Sequence, residues 1–428
     1  MPDHFDAIII GTGAGGGTIL HELAGTGKRI LVLERGPFLP REKENWDTKV
    51  AFHTTRYFGP EVWRDRDGHE LRAGMCYHVG GNTKLYGAAL FRLRERDFET
   101  VRHVDGVSPE WPVKYRDWEP WYARAERLYH VHGEAGADPT EPWRSGPYPW
   151  PAVSHEPRIA EISGALSARG LRPSFTPLGV RLNERQPHRS PCLRCSTCDG
   201  YPCLVHAKSD AEISAVRPVM DRENVTLLTE AKADRLLTTA AGTAVTGVEV
   251  TLDGEPVTFT ADLFIMSCGA INSAALLLRS ANARHPGGLA NSSGLVGRNL
   301  MKHVLGSLIG VSSFKSNPTK FQKSLSVFDY YWGEPGFEFP MGQIQTLGKV
   351  SRAELEGSES VYAPLDLDQV ARHSVDWWLT SEDLPRRENQ VRLDRDGGIV
   401  IYYTETNAAE FDRLMTRWKQ VLHDVGCG

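Results

Sequence analysis

Short apolar runs alternate with a helical pattern at the N-terminal end of the chain. Residues 7–10 form a continuous apolar run, which is typical of a strand buried on both faces. Apolar residues recur at helical spacing over residues 18–23, and residues 29–33 form a second apolar run. This order predicts a strand, a helix and a second parallel strand, which together begin a layered α/β sheet.

A similar pattern returns much later in the chain. Residues 225–233 alternate like a strand followed by a turn, and residues 261–278 run from an apolar strand through Gly269 into a helix. Strand signals separated by glycine recur over residues 304–400 and predict a second sheet. The predicted fold class is therefore α/β, an α+β composite in which a mostly antiparallel sheet is inserted into a split α/β domain.

Glycines occupy the first predicted turn at a characteristic spacing. Gly11 allows a tight turn, Gly13 lets the backbone approach a pyrophosphate, and Gly16 lets the helix pack closely on the sheet. Glu34 ends the second predicted strand, where a carboxylate can accept hydrogen bonds from a ribose. The set predicts a Rossmann-like dinucleotide site, although the acid alone does not choose between NAD and FAD.

Composition narrows the possible partners. The chain has 428 residues, more than one simple core requires, and its net charge of −5 gives no electrostatic reason to expect nucleic acid as a partner. No apolar run is long enough to predict a membrane span. The first residues, MPDHFDAIII, lack the pattern of a secretory signal, so a cytoplasmic location is expected.

A second glycine-rich turn lies within AGMCYHVGGNTKLYGAALFR, residues 73–92. Gly80, Gly81, Asn82 and Thr83 are small or polar, and their backbone N–H groups can surround a flavin. Such a turn also occurs in proteins without any ligand.

These motifs resemble those of the glucose–methanol–choline (GMC) oxidoreductases. The resemblance runs from Asp6 to the end of the chain and includes GTGAGGG with LERG, VGGNTKLYG, SCGAINSAALLL, VGRNLMKH and SEDLPRRENQV. It implies a split FAD-binding domain and a substrate-domain sheet placed over the flavin. It also implies hydride transfer to FAD from a CH–OH group of a sugar, polyol or related alcohol, with an electron acceptor that the sequence does not identify.

The resemblance also assigns roles to residues. Glu34 would hold the adenosine ribose, residues 80–83 would line the flavin and pyrophosphate, and Ala233 would meet the adenine through its backbone. Leu85 stands where members with covalent flavin have a histidine, so noncovalent FAD is expected. The predicted cofactor-binding residues are Gly11, Gly13, Ala14, Gly16, Glu34, Arg35, Gly80, Gly81, Asn82, Thr83, Ala233 and Gly269.

The family's catalytic histidine lies in a C-terminal segment that this sequence does not include. The sequence ends at KQVLHDVGCG, and no catalytic residue is assigned. His423 falls in an amphipathic pattern that ends at a glycine, which predicts a surface or packing role. Weak flavin binding and turnover near background are therefore expected of these residues alone. The alternatives are an inactive or split flavin-binding subunit and, from a third class, an NAD-dependent dehydrogenase.

Four cysteines are clustered in CLRCSTCDGYPC, residues 192–203. Cys192, Cys195 and Cys198 match the spacing of a ferredoxin-type iron–sulfur site, but Cys203 follows at a different interval. A zinc site and a packed loop with thiols or disulfides are the alternatives. By resemblance, some GMC dehydrogenase subunits hold an iron–sulfur cluster near this place.

Tryptophans mark two further segments. Residues 111–150 contain five of them, which suits either a sugar-stacking surface or a lid packed on the core. Trp377 and Trp378 are adjacent, so on a strand they point to opposite faces. The predicted domain boundaries are 1–95 for the first FAD-binding part, 96–160 for the aromatic-rich lid, 161–303 for the second FAD-binding part, and 304–428 for the substrate sheet and terminal helix.

Overall fold

The computed structural model describes residues 4–54, 56–356 and 366–427, and its largest sheet has six strands. The first four strands in spatial order are parallel, and the last three form an antiparallel meander. Ile8 and Ile9 point to opposite faces and are both fully buried, as the apolar run predicted. From edge to edge the strands are Val225–Leu228, Ile30–Leu33, His4–Ile10, Glu255–Met266, Val245–Leu252 and Ala231–Thr238.

Two helices leave the carboxyl ends of adjacent strands in this sheet. Ala14–Leu23 follows the strand His4–Ile10, and Ala270–Arg279 follows Glu255–Met266. The strand–glycine–helix units predicted at both places are confirmed. Because the two strands are neighbours and parallel, both helices begin at the same edge of the sheet, where α/β proteins bind ligands.

A second sheet of five strands is entirely antiparallel. One face packs on the helices Pro157–Ser167 and Ala408–Asp424, and Trp377 meets Trp418 edge to face at 4.8 Å in this core. Trp378 points to the other face, so the predicted alternation is confirmed. The strands in order are His303–Val311, Ser374–Glu382, Gln343–Thr346, Leu325–Val327 and Ser174–Phe175.

The last two predicted strands do not belong to this sheet. Gln390–Leu393 and Ile399–Tyr402 instead join Val62–Asp65 and Glu70–Arg72 in a four-stranded sheet. Their buried residues pack with Trp63 in a separate small core. Periodicity predicts that a segment is a strand, but it carries no information about a partner far away in the chain, so the earlier grouping of strands was wrong.

The terminal helix Ala408–Asp424 matches the amphipathic pattern. Gly426 adopts a left-handed φ of +78° and its N–H bonds to the carbonyl of His423, which ends the helix as predicted. The His423 side chain is 83% exposed, in agreement with the expected surface role.

The tryptophan-rich segment is held mainly by buried charges. Arg92 donates to Glu119 and Glu126 on the helix Tyr115–Leu128, and all three side chains are buried. Trp121 is 57% exposed, and three of the other tryptophans are also exposed, although Trp111 contacts the buried Phe98 ring.

The other elements are short. The strands are Val101–Arg102, Val107–Ser108, Val131–Gly133, Trp150–Pro151 and Leu178–Gly179. The helical segments are Ala24–Thr26, Lys43–Trp46, Lys49–His53, Gly81–Lys84, Glu95–Phe98, Pro187–Arg189, Glu212–Val216, Arg352–Glu356 and Leu367–His373. Within the described ranges, no helix has both the length and the apolar character needed to cross a bilayer.

Candidate active site

A cleft opens at the edge where the parallel strands of the six-stranded sheet end. Gly11 has φ +96°, and a Cβ there would lie 2.5 Å from the carbonyl oxygen of Ser267. A Cβ on Gly16 would lie 1.8 Å from the carbonyl oxygen of Gly11. Neither position admits a side chain, because the turn, the helix and the neighbouring strand approach one another too closely.

The middle glycine of the motif has a different environment. Gly13 has φ −64°, which any residue can adopt, and a Cβ there would meet no heavy atom within 4 Å. A Cβ on Gly81 would lie 3.2 Å from the Cα of Gly13. The two backbones therefore face each other across the cleft, and the absence of side chains keeps the space between them open.

Glu34 is buried beside this glycine turn. Its Oε2 accepts hydrogen bonds from the Thr12 N–H at 3.0 Å and the Thr12 hydroxyl at 2.5 Å, and its Oε1 accepts from the Gly36 N–H at 3.2 Å. Burial raises the pKa of Glu34, although the hydrogen bonds from Thr12 oppose this. The Thr12 hydroxyl also accepts from the Gly80 N–H at 3.0 Å, so it links the two glycine-rich turns.

The structure brings most of the predicted site residues to this cleft, which we call the strand-end cleft. Gly16 and Gly80 do not line it; Gly16 packs the helix on the sheet, and Gly80 begins the second turn with φ +98°. The predicted residues that line it are Gly11, Gly13, Ala14, Glu34, Arg35, Gly81, Asn82, Thr83, Ala233 and Gly269.

Sequence reasoning missed several other residues of the cleft. Asn272 and Arg279 lie on the same face of the helix Ala270–Arg279, two turns apart, a spacing that could have identified them. Tyr77 had no such signal, because its position depends on the Arg35 guanidinium, which lies 3.7 Å from the centre of its ring.

A buried cluster of charged side chains packs against the second glycine-rich turn, Gly81–Lys84. Lys84 donates to Asp210 at 3.0 Å and to Glu212 at 2.6 Å. Burial by itself would lower the pKa of the Lys84 ammonium, but the two carboxylates raise it overall, so the lysine stays charged. Arg217 pairs with the other oxygen of Glu212. These ion pairs fix the turn Gly81–Lys84 against the π-helical segment Glu212–Val216.

A second and larger cavity, of about 860 Å³, lies under the open face of the five-stranded sheet, and we call it the sheet cavity. In the sheet register Gln343 pairs with Thr380 and Gln345 pairs with Trp378, so these four side chains share one face. The lining is completed by residues from the second turn, the Cys-rich loop and nearby segments: Phe52, His53, Tyr86, Gly87, Ala89, Phe91, Ser196, Asp199, Gly200, His303, Leu347, Gly348, Val350 and Glu354.

The Cys-rich loop, residues 192–203, contributes one wall of the sheet cavity. All its thiols are free, and burial raises the pKa of Cys192 to about 12. Among the described residues no three thiol sulfurs lie within 4.8 Å of one another, so the arrangement is not that of a single zinc ion. The Cys203 sulfur accepts backbone N–H groups from Ala207 and Lys208 at 3.3 and 3.4 Å.

Comparison with known proteins identifies the class of protein that this fold and cleft define. The family model for GMC oxidoreductase matches residues 5–305, and the chain belongs to this family. The family expectation drawn from the sequence motifs is confirmed.

Individual relatives and solved structures agree with this assignment. The chain is 32% identical over 310 residues to a 6'''-hydroxyparomomycin C oxidase of Streptomyces lividus, covering 69% of this chain and 54% of that protein. It is 27% identical over 429 residues to the fructose dehydrogenase large subunit of Gluconobacter japonicus, covering 91% and 76%. The crystal structure of pyridoxine 4-oxidase from Mesorbium loti matches with a TM-score of 0.60 and 17% identity, covering 98% and 79%. The chain thus spans about half the length of the first of these relatives.

The family and its flavoprotein neighbours imply FAD, and the strand-end cleft suits that group. The open space beside Gly13 and Gly81 admits a phosphate close to the backbone, and the N-terminus of the helix Ala14–Leu23 favours negative charge. The cleft also holds a buried carboxylate, Glu34, on its lining.

Proposed function

We propose that this protein is an FAD-dependent oxidoreductase that acts on a CH–OH group of a sugar, polyol or related alcohol. The observation that carries the proposal is the closeness of the two cavities. The strand-end cleft is lined by Gly81, Asn82 and Thr83, and the sheet cavity is lined by Tyr86 and Gly87, which come next in the same segment. A cofactor and a substrate can therefore meet along one rigid turn.

The chain's own residues would hold the cofactor by backbone and carboxylate contacts. Gly13 and Gly81 would let the backbone approach the pyrophosphate, Glu34 would accept hydrogen bonds from the adenosine ribose, and Ala233 would meet the adenine. Thr12 orients the Glu34 carboxylate through its two hydrogen bonds. When bound, FAD supplies the hydride acceptor that alcohol oxidation needs.

We propose His303 as the residue that takes the hydroxyl proton, because it lines the sheet cavity. The other histidine of this lining, His53, already has its Nε2 bonded to the Ala353 carbonyl at 3.2 Å. His78 is a weaker choice because it lines neither cavity. Burial and the nearby Lys84 charge lower the pKa of His78, and its Nδ1 contacts the Cys76 sulfur at 3.4 Å. The exposed His423 lines neither cavity.

The names of the relatives support a sugar or polyol substrate. One is an oxidase of a hydroxyparomomycin, and another is the large subunit of a fructose dehydrogenase. The fructose dehydrogenase relative is by name one subunit of an assembly, which supports a protein electron acceptor for this chain, alongside oxygen or a quinone. A cytoplasmic location remains part of the proposal and is tested by cell fractionation.

The alternative function is that of a subunit that binds flavin but does not oxidise a substrate by itself. One relative is by name the large subunit of a fructose dehydrogenase, and this favours the alternative. One experiment separates the two functions: the purified protein is loaded with FAD and assayed with an artificial dye acceptor against aldoses, ketoses, polyols and simple alcohols. Flavin reduction by a sugar or polyol supports the oxidoreductase. Full FAD occupancy with no reduction by any of these alcohols supports the subunit, and failure to retain FAD contradicts both.

For the Cys-rich loop we propose an iron–sulfur cluster at Cys192, Cys195, Cys198 and Cys203. The support is the short spacing and the two N–H groups that face the Cys203 sulfur, since such hydrogen bonds are typical around cluster thiolates. Iron and acid-labile sulfide analysis of anaerobically purified protein tests this. Iron below one atom per chain, with all seven thiols titratable in the denatured protein, would exclude the cluster.

A further inference from the structure

The open face of the five-stranded sheet presents hydrogen-bond acceptors without partners. The Oε1 atoms of Gln343 and Gln345 are buried, and neither accepts a hydrogen bond from the described part of the chain. Both side chains line the sheet cavity beside Trp378 and Thr380. Buried acceptors without partners are unfavourable, so donors on a bound molecule would satisfy them.

The Asp and Glu side chains on the described lining of the sheet cavity are not balanced by any Lys or Arg on that lining. Its described lining contains two carboxylates, Asp199 and Glu354, and neither lysine nor arginine. Asp199 is already compensated, because it pairs with the buried Lys323 ammonium and accepts the Gly348 N–H at 2.6 Å. An anionic sugar would find no cation on these walls.

Glu354 is the carboxylate of the cavity whose charge is not matched. It accepts hydrogen bonds from the Tyr201 hydroxyl at 2.9 Å and from the Ser351 N–H at 2.5 Å, both neutral donors. No cationic side chain among the described residues pairs with it; the nearby Lys349 is bonded to Ser374 and paired with Asp376. The two neutral donors fix the direction of the carboxylate while its negative charge remains available.

We infer that the sheet cavity takes a sugar or polyol that carries a protonated amine, and that Glu354 recognises the ammonium group. This inference rests on the proposed function, which supplies the sugar or polyol skeleton. It adds that the substrate carries a positive charge. Ammonium and hydroxyl donors would satisfy Gln343 and Gln345, and Trp378 offers an aromatic face to the apolar side of a sugar ring or to the cation. A neutral sugar would leave the Glu354 charge uncompensated.

The test compares ligands that share a sugar skeleton and differ at the amine, where acetylation removes the positive charge and adds an acetyl group. Glucosamine is paired with N-acetylglucosamine, and fully deacetylated chitobiose is paired with its N,N'-diacetyl form, so each pair keeps the skeleton and loses the ammonium. Calorimetric binding to the FAD-loaded protein and kcat/KM with a dye acceptor are both measured. We expect the amine of at least one pair to be favoured about tenfold to a hundredfold, the range of a hydrogen bond to a charged group.

The variant Glu354→Gln keeps the size of the side chain but removes the charge. Its single amide oxygen can still accept from the Ser351 N–H, and its NH2 group can donate to the Tyr201 hydroxyl, which then acts as the acceptor. It should abolish the preference for the amine, chiefly through KM, while the loss on the N-acetyl ligand is smaller. Glu356→Gln is the matched control, because Glu356 lies on the same short helix, is exposed, and pairs with Arg352 outside the cavity. It should leave the preference as in the native chain.

The outcomes separate this inference from the proposed function. Turnover of sugars without any preference for the amine, or an equal loss on both ligands of a pair in Glu354→Gln, overturns the inference and leaves the oxidoreductase. Amine-selective binding that depends on Glu354, without flavin reduction, supports the inference and contradicts the oxidoreductase. If no amine binds in either assay, the inference is wrong.

Discussion

Replacing Gly13 by valine tests the dinucleotide site with little risk to the fold. Gly13 has an ordinary φ of −64°, and a Cβ at this position would meet no heavy atom within 4 Å. The chain can therefore fold with a valine here, because the added methyl groups enter the strand-end cleft and not the core. At Gly11 or Gly16 the added side chain would collide with backbone atoms. A loss of FAD binding in those variants could then result from misfolding, so they would not test the binding site.

The expected loss of FAD-binding free energy in Gly13→Val has two parts, a steric cost and a lost hydrogen bond. Forcing extra methyl groups against a bound group typically costs about 1–3 kcal/mol. Moving a phosphate away from a backbone N–H forfeits a charge-assisted hydrogen bond worth about 1.5–3 kcal/mol. Together they amount to about 4 kcal/mol, or roughly a thousandfold weaker FAD binding. Gly13→Ala adds one carbon and should give an intermediate loss.

The assay is a fluorescence titration of the flavin-free protein with FAD, accompanied by far-UV circular dichroism and a thermal melt. Gly25→Val is the matched control, because Gly25 is also open on all sides but lies away from the cleft on the surface. We expect the control to bind FAD like the native chain. If Gly13→Val folds and binds FAD as tightly as the native chain, the cleft is not the FAD site.

Three further outcomes are expected. His303→Ala should bring any alcohol-dependent flavin reduction down to background, because loss of a general base costs a factor of about a hundred or more, whereas His423→Ala should leave the rate unchanged; the reverse result would contradict the proposed role. Acid denaturation should release all flavin into the supernatant because Leu85 provides no linking group; flavin retained by the pellet would contradict noncovalent binding. Trp377→Ala should lower the free energy of unfolding by about 3–5 kcal/mol in a urea titration, against at most about 0.5 kcal/mol for the exposed Trp121→Ala; similar losses would refute the assigned core.

The parts of the molecule that could be predicted are those encoded in contiguous sequence. Gly11 and Gly16 sit in one tight strand–turn–helix unit, so their spacing alone indicated the close backbone approaches that the structure contains. The opposite orientations of Trp377 and Trp378 likewise follow from the alternation of a single strand. In both cases the relevant geometry extends over a few residues.

The parts that could not be predicted depend on residues far apart in the chain. Lys84 is buried because Asp210 and Glu212 meet it, and those partners lie 126 and 128 residues away. The strand Ile399–Tyr402 had a correct pattern but the wrong expected sheet, since it pairs with Val62–Asp65, which lies far earlier in the chain. Thr12 occupies a variable position in the glycine motif, and only its contact with Glu34 reveals its role.

The buried Lys84 cluster also explains how two separate cavities can serve one reaction. Two carboxylates, one ammonium and the Arg217 guanidinium balance one another, so the cluster carries no net charge. Displacing Lys84 would leave the buried Asp210 carboxylate without its cationic partner, and this cost resists displacement of the turn. Because that turn lines the strand-end cleft on one side and continues into the wall of the sheet cavity, its rigidity fixes the distance between a bound cofactor and a bound substrate. Hydride transfer is sensitive to that distance, so under the proposed function this cluster, whose members line neither cavity, would set the spacing between cofactor and substrate.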